Sequence, residues 1–235
     1  MPISAALSAI RRNILPLAAC VAAFAVPAAK AQEWAKVTDG KSGAGLYLHA
    51  SGKVEYSDSG VFKTSGNGGY LATIKEYSHY RTRIEWNNNT GGNTGFLYHV
   101  NIDRVWPIGL ECQMASNDVG SLWTTGARFD SRGSGGTFSE TGSPITGFGT
   151  TGTSRKRFIR SQDPGASDGQ WNTWEMYVKG DSLEIKANGK LVMRIGKLTI
   201  KNGTPLVRGK IGLQIEGATV QWRNWEIQDL APARP

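Results

Sequence analysis

The sequence predicts an all-β fold, a two-sheet antiparallel β-sandwich of the jelly-roll kind, on three observations. Period-two alternation of apolar and polar residues recurs from Trp34 onward, bounded by Gly, Asn and Ser, and no run with a helical period is long enough to compete. Glycine supplies 30 of the 235 residues, about one in eight, which suits an architecture of many tight turns. So many antiparallel-looking runs in one chain favour two packed sheets over a series of βαβ units.

The clearest elements lie in the C-terminal half. Trp174 to Lys179 and Ser182 to Ala187 alternate around Gly180-Asp181, and Asn188-Gly189 then leads into Lys190 to Ile195. Asn-Gly is the strongest two-residue hairpin signal because both positions accept positive φ, so the three runs form a meander. Further strands are expected at Leu71 to Ile74, Tyr80 to Trp86, Gly95 to Val100, Leu110 to Met114, Gly126 to Phe129, Lys210 to Glu216 and Val220 to Gln228. The Gly-, Ser- and Thr-rich stretch from Ser131 to Gly169 reads as a long surface insertion bordering a binding site, with room for a short hairpin.

Residues 1–31 read as a secretory signal. They contain no acid, place Arg11 and Arg12 ahead of an apolar run from Ile14 to Val26, and end in Ala29-Lys30-Ala31, which predicts cleavage after Ala31. The apolar run is too short for a membrane span. The Arg pair also fits a twin-arginine signal, and Leu17-Ala18-Ala19-Cys20 offers a lipobox as the lesser alternative. A single domain, residues 32–235, follows, in a periplasmic or secreted protein.

Hydrophobic residues at 39% and charged residues at 20% exclude a disordered polyelectrolyte and a membrane bundle. The formal charge is +8, from 27 Lys and Arg against 19 Asp and Glu. Removing Arg11, Arg12 and Lys30 with the leader lowers it to +5. No nucleic-acid motif accompanies that excess, and the cluster of Arg155, Lys156, Arg157 and Arg160 reads as a solvated loop before an anion contact. After cleavage Cys112 is the one remaining cysteine, which leaves no partner for an intramolecular disulfide. No motif specifies an oligomeric state.

Strand alternation separates the faces on which chemistry can sit. Arg81, Arg83 and Glu85 share one side of their strand, Glu111 and Gln113 one side of theirs, and Gln214 and Glu216 one side of a third. Side by side in one curved sheet, these faces form a groove of hydrogen-bonding groups suited to a sugar. Trp106, Trp123 and Tyr98 are aromatic platforms for its C–H faces.

Several segments together resemble the 3-keto-disaccharide hydrolase family. They are Asn93 to His99, Val105 to Gln113, Thr125-Gly126-Ala127, Trp171-Asn172-Thr173-Trp174, Ala187-Asn188-Gly189, Gly209 to Gln214 and Val220 to Asn224. The resemblance spans nearly the whole chain after the leader. It implies a concanavalin-like lectin/glucanase fold and action on glycosides whose C3 hydroxyl is oxidised to a ketone. Ala115-Ser116-Asn117-Asp118-Val119-Gly120 does not carry the Asp and His that many relatives have together at this point, and His99 stands where many carry Arg.

A retaining glucanase of this fold class places two carboxylates on one strand face about 5 Å apart. The strand Glu111-Cys112-Gln113-Met114-Ala115-Ser116 carries one. A 3-keto sugar requires less, because the ketone acidifies the C2 proton and one base suffices for β-elimination. In this reading Glu111 is the base, His99 its partner or the acid to the leaving group, and Arg83 and Gln113 hold the enolate and hydroxyls. A divalent metal on His99, Glu111 and Glu85 is a further option, without a metal-spacing motif behind it. A non-catalytic carbohydrate-binding module and a structural domain of the cell envelope are the competing classes.

Overall fold

The computed structural model describes residues 32–100, 107, 109–115, 117–125, 137–138, 143–150, 153–196, 198 and 205–230. Among them there is no helix; the regular elements are seventeen strands. In chain order these are β1 (Ala35–Lys36), β2 (Leu46–Ala50), β3 (Lys53–Glu55), β4 (Phe62–Ser65), β5 (Asn67–Thr73), β6 (His79–Asn88), β7 (Gly95–Val100), β8 (Gly109–Gln113) and β9 (Leu122–Thr125). They continue with β10 (Thr137–Phe138), β11 (Ser143–Thr150), β12 (Thr153–Ile159), β13 (Asn172–Lys179), β14 (Ser182–Ala187), β15 (Lys190–Gly196), β16 (Lys210–Glu216) and β17 (Val220–Asp229).

They form two antiparallel sheets. The first runs β10-β15-β14-β13-β6-β17-β4-β3, with β1 also paired to β17; the second runs β11-β12-β9-β8-β7-β16-β5-β2. The predicted two-sheet architecture is therefore the observed one. The meander β13–β14–β15 stands where the turn chemistry puts it, with Asn188 and Gly189 at φ 47° and 76°. The expected strand at Gly126 to Phe129 lies outside the described residues. The Ser131 to Gly169 insertion contains the paired strands β11 and β12, which extend an edge of the second sheet, as well as β10 on the edge of the first.

Alternation fixes the inner faces. In β13 every second residue is buried, and its inward Trp174 packs in stacked geometry on Phe96 of the opposite sheet and edge-on to Trp86. Trp222 and Trp225 both reach the core although three positions separate them. The register of β17 shifts between Arg223 and Glu226, and Asn224 takes a φ of 53°, so a bulge restores the inward direction. The indole N–H groups of these two tryptophans donate to Thr64 and Thr82 at 2.9 and 3.1 Å, which satisfies them in the apolar interior.

The two sheets treat their second faces differently. β13 exposes its outward residues, whereas β7 and β8 are buried on both sides. The second face of the latter sheet carries a small apolar group, Tyr70, Ala72, Leu97 and Val100, beside buried Glu111, Gln113 and Gln214. Polar side chains buried on an outer sheet face are the feature that separates this surface from ordinary solvated β-structure. Among the described residues no helix is long and apolar enough to cross a membrane.

Candidate functional site

Strand pairing sets four residues side by side on that second face. Leu97 of β7 opposes Glu111 of β8, Glu111 opposes Trp123 of β9, and Trp123 opposes Arg157 of β12. With strands about 4.8 Å apart, Glu111 and Arg157 start roughly 10 Å from each other with the indole between them. They border a cavity of about 410 Å³ whose rim includes Asn93 and Asp118. That volume lies within the range of roughly 300–1,000 Å³ usual for small-ligand sites.

The carboxylate is held by its neighbours. Gln113 accepts backbone N–H bonds at its Oε1 from Met114 and Ala115 at 3.0 and 3.1 Å, which turns its Nε2 toward Glu111 Oε1 at 3.4 Å. Gly95 opposes Gln113 on β7 and leaves a hollow. A Cβ there would stand 2.7 Å from Glu111 Cγ and 3.2 Å from Gln214 Oε1, so the missing side chain is what lets both residues approach. Gln214 is 1% exposed, and neither atom of its amide makes a hydrogen bond among the described residues. A buried amide in that state stands out beside the carboxylate, since buried polar groups are ordinarily paired.

Across the indole, Arg157 is ion-paired to Asp118 and its guanidinium lies 5.1 Å from the Trp123 ring centroid. One Nη donates to Asp118 Oδ1, while the buried Nε makes no hydrogen bond among the described residues. The guanidinium is thus fixed in place with donors to spare.

The remaining residues expected at a site are distributed elsewhere. Arg83 and Glu85 belong to β6 in the other sheet and point away from the core, so the three polar strand faces do not form one groove. Arg83 pairs with Glu226 at 2.6 Å. Glu85 receives Asn224 and Arg223 at 2.6 and 2.8 Å; burial works to raise its pKa, but these bonds outweigh it and hold the carboxyl below its ordinary value. Trp106 lies outside the described residues.

Tyr98 and His99 lie in the core. Tyr98 donates its hydroxyl to the carbonyls of Gly180 and Leu206 at 2.5 and 3.1 Å, and burial pushes its phenol well up. Strict alternation from Leu97 would put His99 on the Glu111 face. Instead the β7–β16 register shifts at this point, His99 takes a φ of 49°, and its ring stacks on Tyr98 at 3.9 Å. Burial lowers the imidazole pKa to about 3, against a bond to the Leu206 carbonyl that works to raise it. His99, Glu111 and Glu85 therefore occupy the core, the second face of one sheet and the outer face of the other. They do not fit a shared metal ion, and no group of three His, Cys, Asp or Glu among the described residues could hold one.

The model of the 3-keto-alpha-glucoside-1,2-lyase-like domain matches residues 33–228. The chain belongs to this family. Solved structures agree on the fold of this lyase-like domain. A protein designated a glycosyl hydrolase from Parabacteroides distasonis superimposes with a TM-score of 0.59 at 21% identity, covering 84% of this chain and 94% of that one. The carbohydrate-binding module CBM66 from Bacillus subtilis superimposes at 0.53 with 11% identity, covering 78% and 95%. No curated protein matches the chain.

Sequence reasoning put Glu111, Gln113 and Trp123 at the site of the lyase-like domain, and the structure brings these three together. It missed Arg157 and Asp118. Arg157 sits in a basic run that resembles a solvated loop, and nothing in that run reveals its pairing with β9. Alternation in β16 already turned Gln214 from the core; what the sequence lacked was the knowledge that β16 and β8 flank the same strand.

Proposed function

We propose that this protein is an exported enzyme that cleaves 3-keto-glycosides, with residues 1–31 as its export signal. The observation that carries the reading is the transverse row in which Trp123 separates the Glu111 carboxylate from the Arg157 guanidinium over one cavity. A pyranose ring stacked on that indole has a base on one side and an electrophile on the other. The family's description as 1,2-lyase-like supports elimination as the bond-breaking step.

The chemistry balances with these side chains. Glu111 takes the C2 proton, and the C–H electron pair moves into the C2–C3 bond as the C3 ketone becomes an enolate, whose charge Arg157 stabilises. When the ketone re-forms, C1 and C2 become doubly bonded and the C1–O bond breaks. The departing oxygen keeps its electron pair and takes the proton back from Glu111. Water then adds across the double bond, hydroxyl to C1 and proton to C2, giving the free 3-keto sugar. Gln113 steadies the Glu111 carboxylate through its Nε2, and Glu111 performs both proton transfers without a second carboxylate.

The test is aglycone release from a 4-nitrophenyl 3-keto-glucoside by wild type and Glu111→Gln, run in deuterated water. The expected result is a loss of about 10²-fold or more in the variant, with wild-type product carrying deuterium at C2. Equal rates would remove Glu111 as the base, and product without deuterium would remove the elimination. Saccharide binding without any turnover would establish a carbohydrate-binding module in its place.

A further inference from the structure

The sheet opposite the proposed active site has a cavity of its own. It measures about 250 Å³ and lies between Trp34, just before β1, and the outward side chains of β6, β13 and β14. Trp34 forms one wall, with Arg83 4.4 Å and Arg81 5.9 Å from its ring. Arg83 is fixed in turn by Glu226, which gives the indole a stiff backing. Tyr177, exposed to 41%, provides a second aromatic surface on β13.

The polar groups around this cavity are available in an unusual way. Glu175 and Lys186 oppose each other across β13 and β14, where opposite charges ordinarily pair, yet among the described residues no ion pair joins them. Glu184, by contrast, is engaged by Arg194 at 2.7 Å. The lining therefore combines two cations, Arg81 and Lys186, with two anions, Glu175 and Glu184, the last of them already answered by Arg194 from outside the cavity. Charges of both signs stand side by side in this wall, so no single ligand charge is matched throughout. The wall offers aromatic faces for C–H groups together with donors and acceptors of both kinds, which is what a neutral polyhydroxylated ring requires. The volume falls just below the roughly 300–1,000 Å³ of usual ligand sites, room for one ring at the end of a chain.

We infer that the Trp34 cavity is a second saccharide-binding site, which takes a terminal neutral sugar unit of a glycan on the sheet opposite the Glu111 face. The two sites lie on opposite sides of the sandwich, so both can be filled at once and the second anchors the protein on a glycan without obstructing the first. This inference stands on the lining of the Trp34 cavity and is independent of the assignment of Glu111.

Titration of the full chain with cellobiose, maltose and lactose, followed by the indole N–H signals in NMR spectra, tests it. The Trp34 signal, assigned with Trp34→Phe, should shift with at least one sugar. Trp34→Ala and Tyr177→Ala should each weaken that binding about tenfold, as read by calorimetry, while Glu111→Gln leaves it unchanged. Tyr177→Ala removes an exposed ring, so a folding defect in Trp34→Ala does not leave the question open. No shift of Trp34 with any of the three sugars, or a shift only with a charged Lys-Glu peptide, would overturn the inference.

Discussion

Tyr98 and His99, consecutive in β7, point to the same side of their strand and stack on each other with ring centroids 3.9 Å apart. A β-bulge does this, and it moves the imidazole from the Glu111 face into the apolar interior. Its position gives His99 a structural role with a measurable acid signature.

The His99 imidazole has its pKa lowered from 6.5 to about 3 by burial. A depressed folded-state pKa means that the unfolded chain binds the proton first as pH falls. The contribution to stability is therefore complete above 6.5 and lost progressively between 6.5 and about 3. Denaturant unfolding at a series of pH values should show this slope in wild type and a flatter one in His99→Leu. The difference should be on the order of a few kcal/mol across that window.

Tyr98→Phe separates packing from ligand contact. The variant loses the hydroxyl that serves the Gly180 carbonyl, so stability should fall by about 1–3 kcal/mol. A phenol enclosed in the core touches no sugar, and KM should stay at the wild-type value. A raised KM with unchanged stability would return Tyr98 to the binding surface.

Gly95→Ala tests the hollow under Glu111. The new methyl would meet Glu111 Cγ at 2.7 Å and the Cys112 carbonyl at 3.2 Å, so the side chain must move. The expected outcome is a folded protein destabilised by about 1–3 kcal/mol with turnover reduced by about 10²-fold. Circular dichroism and the aglycone assay read the two effects separately.

Arg157→Met removes both the partner of Asp118 and the cation over Trp123. If the guanidinium stabilises an enolate, kcat should drop by about 10²–10³-fold, with KM moving far less. A rise in KM alone would mark Arg157 as a binding group without a role in the transition state.

Local chemistry was readable from the sequence; partnership between distant strands was not. Gly180, Asn188 and Gly189 announce the β13–β15 meander because their backbone freedom acts within two residues. The division of Arg83, Glu111 and Gln214 between sheets depends on pairing of segments far apart in the chain, and alternation is silent on that. The bulges at His99 and Asn224 each reverse the side on which the following residues fall, and a strict period of two cannot anticipate them. Tryptophan shows the same limit. Trp86, Trp174, Trp222 and Trp225 are core, while Trp34 and Trp123 line cavities, although composition treats them alike.

Glu111 and Cys112 occupy successive positions of a five-residue strand, one bearing the carboxylate and the other a thiol fully enclosed in the core. Burial, reinforced by the adjacent Glu111 charge, pushes that thiol well up, so it behaves as a small apolar filler and resists oxidation. The strand is a party wall with the interior on one side and reactivity on the other. Enlarging Cys112 to improve packing would shift the backbone that aims Glu111, which makes this a poor place to seek thermostability. Engineers raising the melting temperature should work on exposed positions clear of both cavities, such as those of β3, where a gain in robustness leaves the aim of the carboxylate alone.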